Sequence, residues 1–254
     1  MRTRWPVGLV VLILVAAGCG SESGGASEPT LTVSAATSLK NAFTAYGKEF
    51  KQAEATFSFA GSDELAAQIQ QGVKPDVFAA ANTKLPDQLF AKGLVKKPKV
   101  FAGNRLVLAV SANNARVASL RDLEQDGVTV AIGAPSVPVG AYTRTVLGKL
   151  PPSQSQAIKA NVRSEEPDVG GIVGKLSTDA ADAGFVYISD VRGAGGRLRA
   201  IELPKKAQPS VAYGVAVVKG AKQPKQAEAF IDGLVSGPGQ QELKAAGFEP
   251  PPAE

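Results

Sequence analysis

Two serines stand where the chain changes its periodicity, and the chemistry they offer is that of neutral hydrogen-bond donors. Ser38 follows Thr30-Leu31-Thr32-Val33-Ser34-Ala35-Ala36-Thr37, in which Leu31 and Val33 alternate with polar neighbours as in a strand. It precedes the helically spaced set Leu39, Ala42, Phe43, Tyr46 and Phe50. Ser62 follows Thr56-Phe57-Ser58-Phe59-Ala60-Gly61 in the same manner, ahead of Leu65, Ala66 and Ile69. A serine at such a junction is a helix cap by default. The N–H groups that need a cap are also a ready site for an anion. On the residues alone both readings stay open. Asp63 and Glu64, in the first turn behind Ser62, are expected to face solvent, where they suit the helix dipole but mildly repel an anion.

The absent residue types narrow the chemistry further. The chain has no histidine and one cysteine, Cys19, which excludes His-based triads, His or thiolate metal sites and any internal disulfide. A serine hydrolase with Ser38 or Ser62 as nucleophile and Lys40 as base is the enzyme alternative, but no Gly-x-Ser-x-Gly elbow is present. A surface adhesion or scaffold protein is a third class, and it leaves the paired serine turns unexplained.

The first residues read as an export signal. Met1-Arg2-Thr3-Arg4 is basic, Trp5 through Ala17 is almost wholly apolar, and Gly18-Cys19 follows. The apolar run is too short for a spanning helix. Leu14-Val15-Ala16-Ala17-Gly18-Cys19 resembles a bacterial lipobox, with Ala16 at the place usually held by Leu. The expectation is a signal peptide over 1–18, a lipidated Cys19, and a Gly/Ser-rich tether to 29. With Arg2 and Arg4 lost with the leader, 26 of the 28 basic residues remain against 23 acidic ones. That balance, with no Lys/Arg run interleaved with aromatics, gives no case for nucleic acid.

The elements that must position the serines follow as alternating strands and helices. Helices are expected at 39–53, from Ser62 to a stop at Gly72, at 84–91 closed by Gly93, and at 141–150 with Pro138 near its first turn. Further helices are expected at 120–125 behind Ser119, at 154–159, behind a cap at Asp168, and at 223–235 and 240–246. Strands are expected at 56–60, 77–81, 106–110, 128–132, 162–163, 184–188, 197–203 and 211–218. The pattern predicts α/β architecture with mostly parallel sheets in two lobes and a ligand cleft between them. No internal repeat is visible, and Pro250-Pro251-Pro252 lies in a tail over 250–254.

Several stretches, taken in order, resemble the molybdate-binding proteins of ABC importers, a branch of the type II periplasmic-binding-protein fold. They are Ala35-Ala36-Thr37-Ser38-Leu39; Phe59-Ala60-Gly61-Ser62 with Leu65-Ala66-Ala67-Gln68-Ile69; and Pro75-Asp76-Val77-Phe78-Ala79. Val137-Pro138-Val139-Gly140-Ala141-Tyr142, Gly184-Phe185-Val186-Tyr187 with Asp190, and Gly237-Pro238 with Gly247-Phe248 complete the set. The resemblance covers nearly all of 30–249. It implies lobe 1 over 30–108 and 214–249, with residues 109–213 as lobe 2. It implies an oxyanion held by Ser38 and Ser62 from one lobe and by Val139, Val169 and Tyr187 from the other. The serines and Tyr187 would donate hydroxyls, the valines backbone N–H groups. It implies a binding protein rather than an enzyme, with no cofactor and no metal held by side chains. Its ligand would be molybdate, with tungstate as a second, and sulfate or another tetrahedral oxyanion as the alternative. Its partners would be a permease with its ATPase and, through a lipid on Cys19, the outer face of the cytoplasmic membrane; a monomer is expected.

Overall fold

The computed structural model describes residues 28–252 together with Thr3; the expected signal peptide and Cys19 lie outside the described residues. The first sheet is built from β1 (Thr30–Ala36), β2 (Glu54–Ala60), β3 (Val77–Ala80), β4 (Lys99–Asn104) and, much later, β10 (Val211–Val217), in the order β2-β1-β3-β10-β4. The second holds β5 (Leu106–Ser111), β6 (Val130–Gly133), β7 (Val162–Glu166), β8 (Ala183–Tyr187) and β9 (Leu198–Ile201), in the order β7-β6-β8-β5-β9. The helices are α1 (Lys40–Glu49), α2 (Ser62–Gln70), α3 (Lys84–Ala91), α4 (Pro138–Gly148), α5 (Pro152–Ala160), α6 (Val169–Ser177), α7 (Ile188–Gly193), α8 (Pro224–Ser236) and α9 (Pro238–Ala245).

Both sheets are mixed, not mostly parallel. β1 runs parallel to β2 and β3, and β6 to β7 and β8, through βαβ crossovers. β10 runs antiparallel to β3 and β4, and β5 antiparallel to β8 and β9. β5 and β10 are the strands laid down directly on arrival from the other sheet, without the crossover helix that makes neighbours parallel. The first switch falls at Arg105, earlier than expected. Leu106 to Leu108 pair with Tyr187 to Phe185 of β8 and so join the second sheet. Likewise Val211 to Tyr213 pair with Asn104 to Ala102 of β4 in the first. α8 packs on β10 and β4, and α9 on α1 and α8, so the C-terminal helices cover the first sheet.

Strands β3, β5, β6 and β8 are short and apolar because both their faces are covered, whereas β1 leaves Thr30 and Thr32 exposed. Leu31, Val77, Phe78, Leu106, Val107, Val130, Phe185 and Val186 are fully buried. Beneath α1, Phe43 meets Phe230 edge-on at 5.6 Å between ring centroids, and Tyr46 donates its hydroxyl to the Phe230 carbonyl at 3.1 Å. The two halves share a device the sequence does not advertise. Thr32 donates its N–H and hydroxyl to buried Asp76, which returns its own N–H; Thr129 and Asp182 do the same in the second half. Each clasp locks the start of a central strand to the start of its parallel neighbour.

Candidate functional site

Four helical N-termini, two from each half, converge on one small cavity of about 20 Å3. The first half supplies the turns Ala36-Thr37-Ser38 and Ala60-Gly61-Ser62, with Ala81 between them; the second supplies Val137-Pro138-Val139 and Asp168-Val169, with Tyr187 at the end of β8. The structure therefore brings Ser38, Ser62, Val139, Val169 and Tyr187 together around a single space. The halves touch around it: a Cβ on Gly61 would lie 2.6 Å from the Pro167 carbonyl, so only glycine permits this approach.

Neither serine caps its helix. Ser38 lies within a 3-10 turn (Thr37–Leu39) leading into α1, and Ser62 is the first residue of α2, behind Gly61; no side-chain cap bond is made at either end. Each oxygen is engaged elsewhere. The Ala81 N–H donates to Ser62 Oγ at 3.0 Å, and Ser38 Oγ lies 2.9 Å from the Tyr213 hydroxyl. With its oxygen already accepting, Ser62 keeps its proton for the cavity. Asp168, by contrast, is a true cap, accepting the Gly171 N–H at 3.0 Å, and so holds the first turn of α6 in place.

Tyr187 is 1% exposed, and its hydroxyl has no hydrogen-bond partner among the described residues. Orphaned buried donors are uncommon in folded proteins and point to a missing partner. Burial, with Tyr213, Tyr142 and Asp190 nearby, pushes this phenol well above its ordinary range, so it stays a protonated donor. The ring is held edge-on between Tyr142 at 6.4 Å and Tyr213 at 5.8 Å.

No lysine or arginine lines the cavity, and the one charged residue in its wall is Asp168. Positive potential comes instead from the N-termini of α2, α4 and α6, each worth roughly half an elementary charge. Burial, reinforced by Asp168 and opposed by the N–H that Tyr187 donates to it, pushes the Asp190 carboxyl up to about 7. Around neutrality and below, this reduces the negative charge held behind Tyr187. Asp63 departs from expectation: it is half-buried, with Oδ1 shielded and unpartnered, because the chain turns it back over Gly61. Glu64 is exposed, as expected, and accepts from Gln68 at 3.1 Å. Sequence reasoning missed Thr37 as a wall residue, and Asn104 and Tyr213 behind Ser38; no local spacing marks residues that meet only through the tertiary fold. Among the described residues no cluster of acidic, histidine or cysteine side chains could hold a metal ion, and no helix is long and apolar enough to cross a membrane.

A space walled by neutral donors and helix N-termini, with one carboxylate already occupied as a cap, suits a small fully deprotonated anion. Comparison with known proteins agrees with a binding role. Residues 31–249 match the family model described as bacterial extracellular solute-binding protein. The molybdate-binding protein ModA of Mycobacterium tuberculosis is 36% identical over 98% of this chain and all of its own length. A putative ABC transporter substrate-binding lipoprotein of Bacillus subtilis, YvgL, is 30% identical over 95% of this chain and 96% of its own. Among solved structures, the periplasmic molybdate-binding protein of Azotobacter vinelandii superposes with a TM-score of 0.78 at 22% identity, over 87% of this chain and all of that one. The substrate-binding domain of a putative molybdenum ABC transporter from Clostridium difficile gives 0.66 at 30% identity, over 87% of this chain and 98% of its own. The chain belongs to the bacterial extracellular solute-binding proteins.

Proposed function

We propose that the protein captures molybdate, and tungstate with it, outside the cytoplasmic membrane and hands the ion to an ABC importer, without catalysing a reaction. The observation that carries this reading is the orphaned Tyr187 hydroxyl in a cavity whose serines and backbone N–H groups are donors. Molybdate, tungstate and sulfate can accept a hydrogen bond at every oxygen. The names and whole-length identity of the relatives favour molybdate among them. Ser38, Ser62 and Tyr187 would bind through hydroxyls, and Val139 and Val169 through backbone N–H. A hydrogen bond to a charged group nets about 1.5–3 kcal/mol, so five such donors could offset the ion's desolvation while still releasing it when the halves separate.

A melting scan of the full-length protein against molybdate, tungstate, sulfate and phosphate tests this. A ligand at about 100 times its dissociation constant adds ~2.7 kcal/mol, worth roughly 5–10 °C in a protein of this size. Molybdate and tungstate are expected to give the largest shifts. A larger shift with sulfate would make the protein a sulfate receptor, and no shift with any oxyanion would remove the reading.

The same reading places Cys19 as a lipidated N-terminus holding a monomer on the outer face of the cytoplasmic membrane. One acyl chain binds membranes only marginally, so a diacyl group is the adequate anchor. Cys19→Ala is expected to move the protein from the membrane to the soluble fraction or leave it unprocessed. Unchanged fractionation and mass would rule the anchor out.

A further inference from the structure

Asn104 is the last residue of β4, immediately before the chain passes to the second sheet, and it is 3% exposed. The backbone N–H of Arg105 donates to its Oδ1 at 2.8 Å, which fixes the amide orientation, because the flipped form would set two donors against each other. Both side-chain hydrogens therefore lie on Nδ2, 2.9 Å from Ser189 Oγ and 3.3 Å from the Tyr213 hydroxyl. Toward Tyr213, Asn104 can only donate. The phenol has one proton, and the acceptor in contact with it is Ser38 Oγ at 2.9 Å. Either oxygen could donate across that contact; a Tyr213 that accepts from Asn104 and gives its proton to Ser38 leaves the Ser38 proton to turn into the cavity that Ser38 lines. Neither Asn104 nor Tyr213 lines that cavity, so any effect they have on a ligand passes through Ser38.

We propose that Tyr213, oriented by Asn104, is a positioning residue that makes Ser38 an obligate donor and thereby sets the site's preference for fully deprotonated oxyanions over protonated ones. The proposal rests on the oxyanion reading above and names a residue pair that controls its selectivity. An oxyanion that keeps a proton, such as phosphate near neutrality, must place it against an acceptor. With Tyr213 in place Ser38 has no reason to rotate and receive it. Without the Tyr213 hydroxyl, the Ser38 lone pair facing it is released, and the serine can reorient to accept from the ligand.

Calorimetry at pH 7 with molybdate and with inorganic phosphate, on full-length wild type, Tyr213→Phe and Asn104→Asp, separates this from a packing role. Asn104→Asp keeps the Tyr213 ring but offers the phenol an acceptor on its far side, so the chain of donors reverses and Ser38 donates inward to Tyr213. In both variants the ratio of phosphate to molybdate dissociation constants is expected to fall by at least about fivefold, the lower end of what an unpaired buried polar group costs. In a Ser38→Ala background, Tyr213→Phe is expected to change the ratio no further. Phosphate and molybdate weakened by equal factors in both variants would show that Tyr213 only fills space. Wild type binding neither anion would overturn the functional reading and the relay with it. Should Tyr213→Phe fail to fold, Asn104→Asp alone carries the test.

Discussion

Gly140→Ala is expected to lower the thermal midpoint by roughly 2–12 °C and to abolish high-affinity oxyanion binding. The position lies in the first turn of α4, where the helix presses on the backbone at the end of β6. An alanine Cβ there would sit 2.0 Å from the Ala134 carbonyl oxygen, 2.4 Å from that of Gly133 and 2.6 Å from the Gly133 carbonyl carbon. These are backbone atoms and cannot rotate away, so the helix must lift from the strand. Overpacking of this kind costs about 1–3 kcal/mol and occasionally more, and each kcal/mol moves a protein of this size by about 2–4 °C. The Val139 N–H proposed to meet the ligand belongs to the preceding residue, so the displacement reaches the site directly. Gly148, at the other end of α4, is the control. A Cβ there meets nothing within 4 Å, and Gly148→Ala is expected to leave binding intact. Calorimetric melting with molybdate titration checks both, and a Gly140→Ala protein that melts and binds like wild type would show that the helix does not rest on Gly133 and Ala134.

How far such a site is legible before folding depends on the range of the interactions that make it. The strand-to-helix turns at Ser38 and Ser62 are local, and period alone locates them. Gly72 and Gly93 end their helices with φ of 100° and 74°, which is why a glycine there could be read as a stop. The strand β4 escaped because Lys99 and Val100 are exposed and Gly103 interrupts the apolar run, leaving little alternation to detect. Helix α7 escaped because Ile188 prolongs the apolar run of β8 and the helix itself spans only Ile188–Gly193. The strand directions of β5 and β10 depend on which sheet each joins, and no residue pattern carries that information. The role of the serines was ambiguous for a related reason. A cap and a ligand contact use the same residue at the same place, and they are told apart by where the hydroxyl is engaged. That engagement comes from Ala81 and Tyr213, the second of which is 175 residues from Ser38. Asp63 was misjudged because solvent is the default for an acid in a first turn, whereas here the second half closes over Gly61 beside it.

Ser62→Ala is expected to weaken molybdate by about 10- to 150-fold and to destabilise the ligand-free protein as well. The two effects have separate origins. The hydroxyl proton directed at the cavity is a charge-assisted donor once the anion is bound, worth about 1.5–3 kcal/mol. The oxygen accepts the Ala81 N–H at 3.0 Å in a place where Ser62 is 2% exposed, so alanine leaves a buried N–H unpaired at about 1–3 kcal/mol. The first loss appears in the dissociation constant and the second in the melting temperature without ligand. A plain helix cap would show only the second. Ser62→Thr, which keeps both functions and adds a methyl group, should recover the stability of the ligand-free form. The wild-type wall also implies discrimination. Inorganic phosphate, unlike molybdate, still carries at least one proton at pH 7; that proton would face donors, and phosphate is expected to bind at least about tenfold more weakly than molybdate. Two carboxylates could defeat that expectation. Asp168 lines the cavity but already accepts the Gly171 N–H, and Asp63 holds an unpartnered Oδ1 beside Gly61. Equal affinities for the two anions in wild type, restored to a molybdate preference by Asp63→Asn, would show that Asp63 swings in as the acceptor. Undiminished molybdate binding by Ser62→Ala would return Ser62 to a purely structural role at the start of α2.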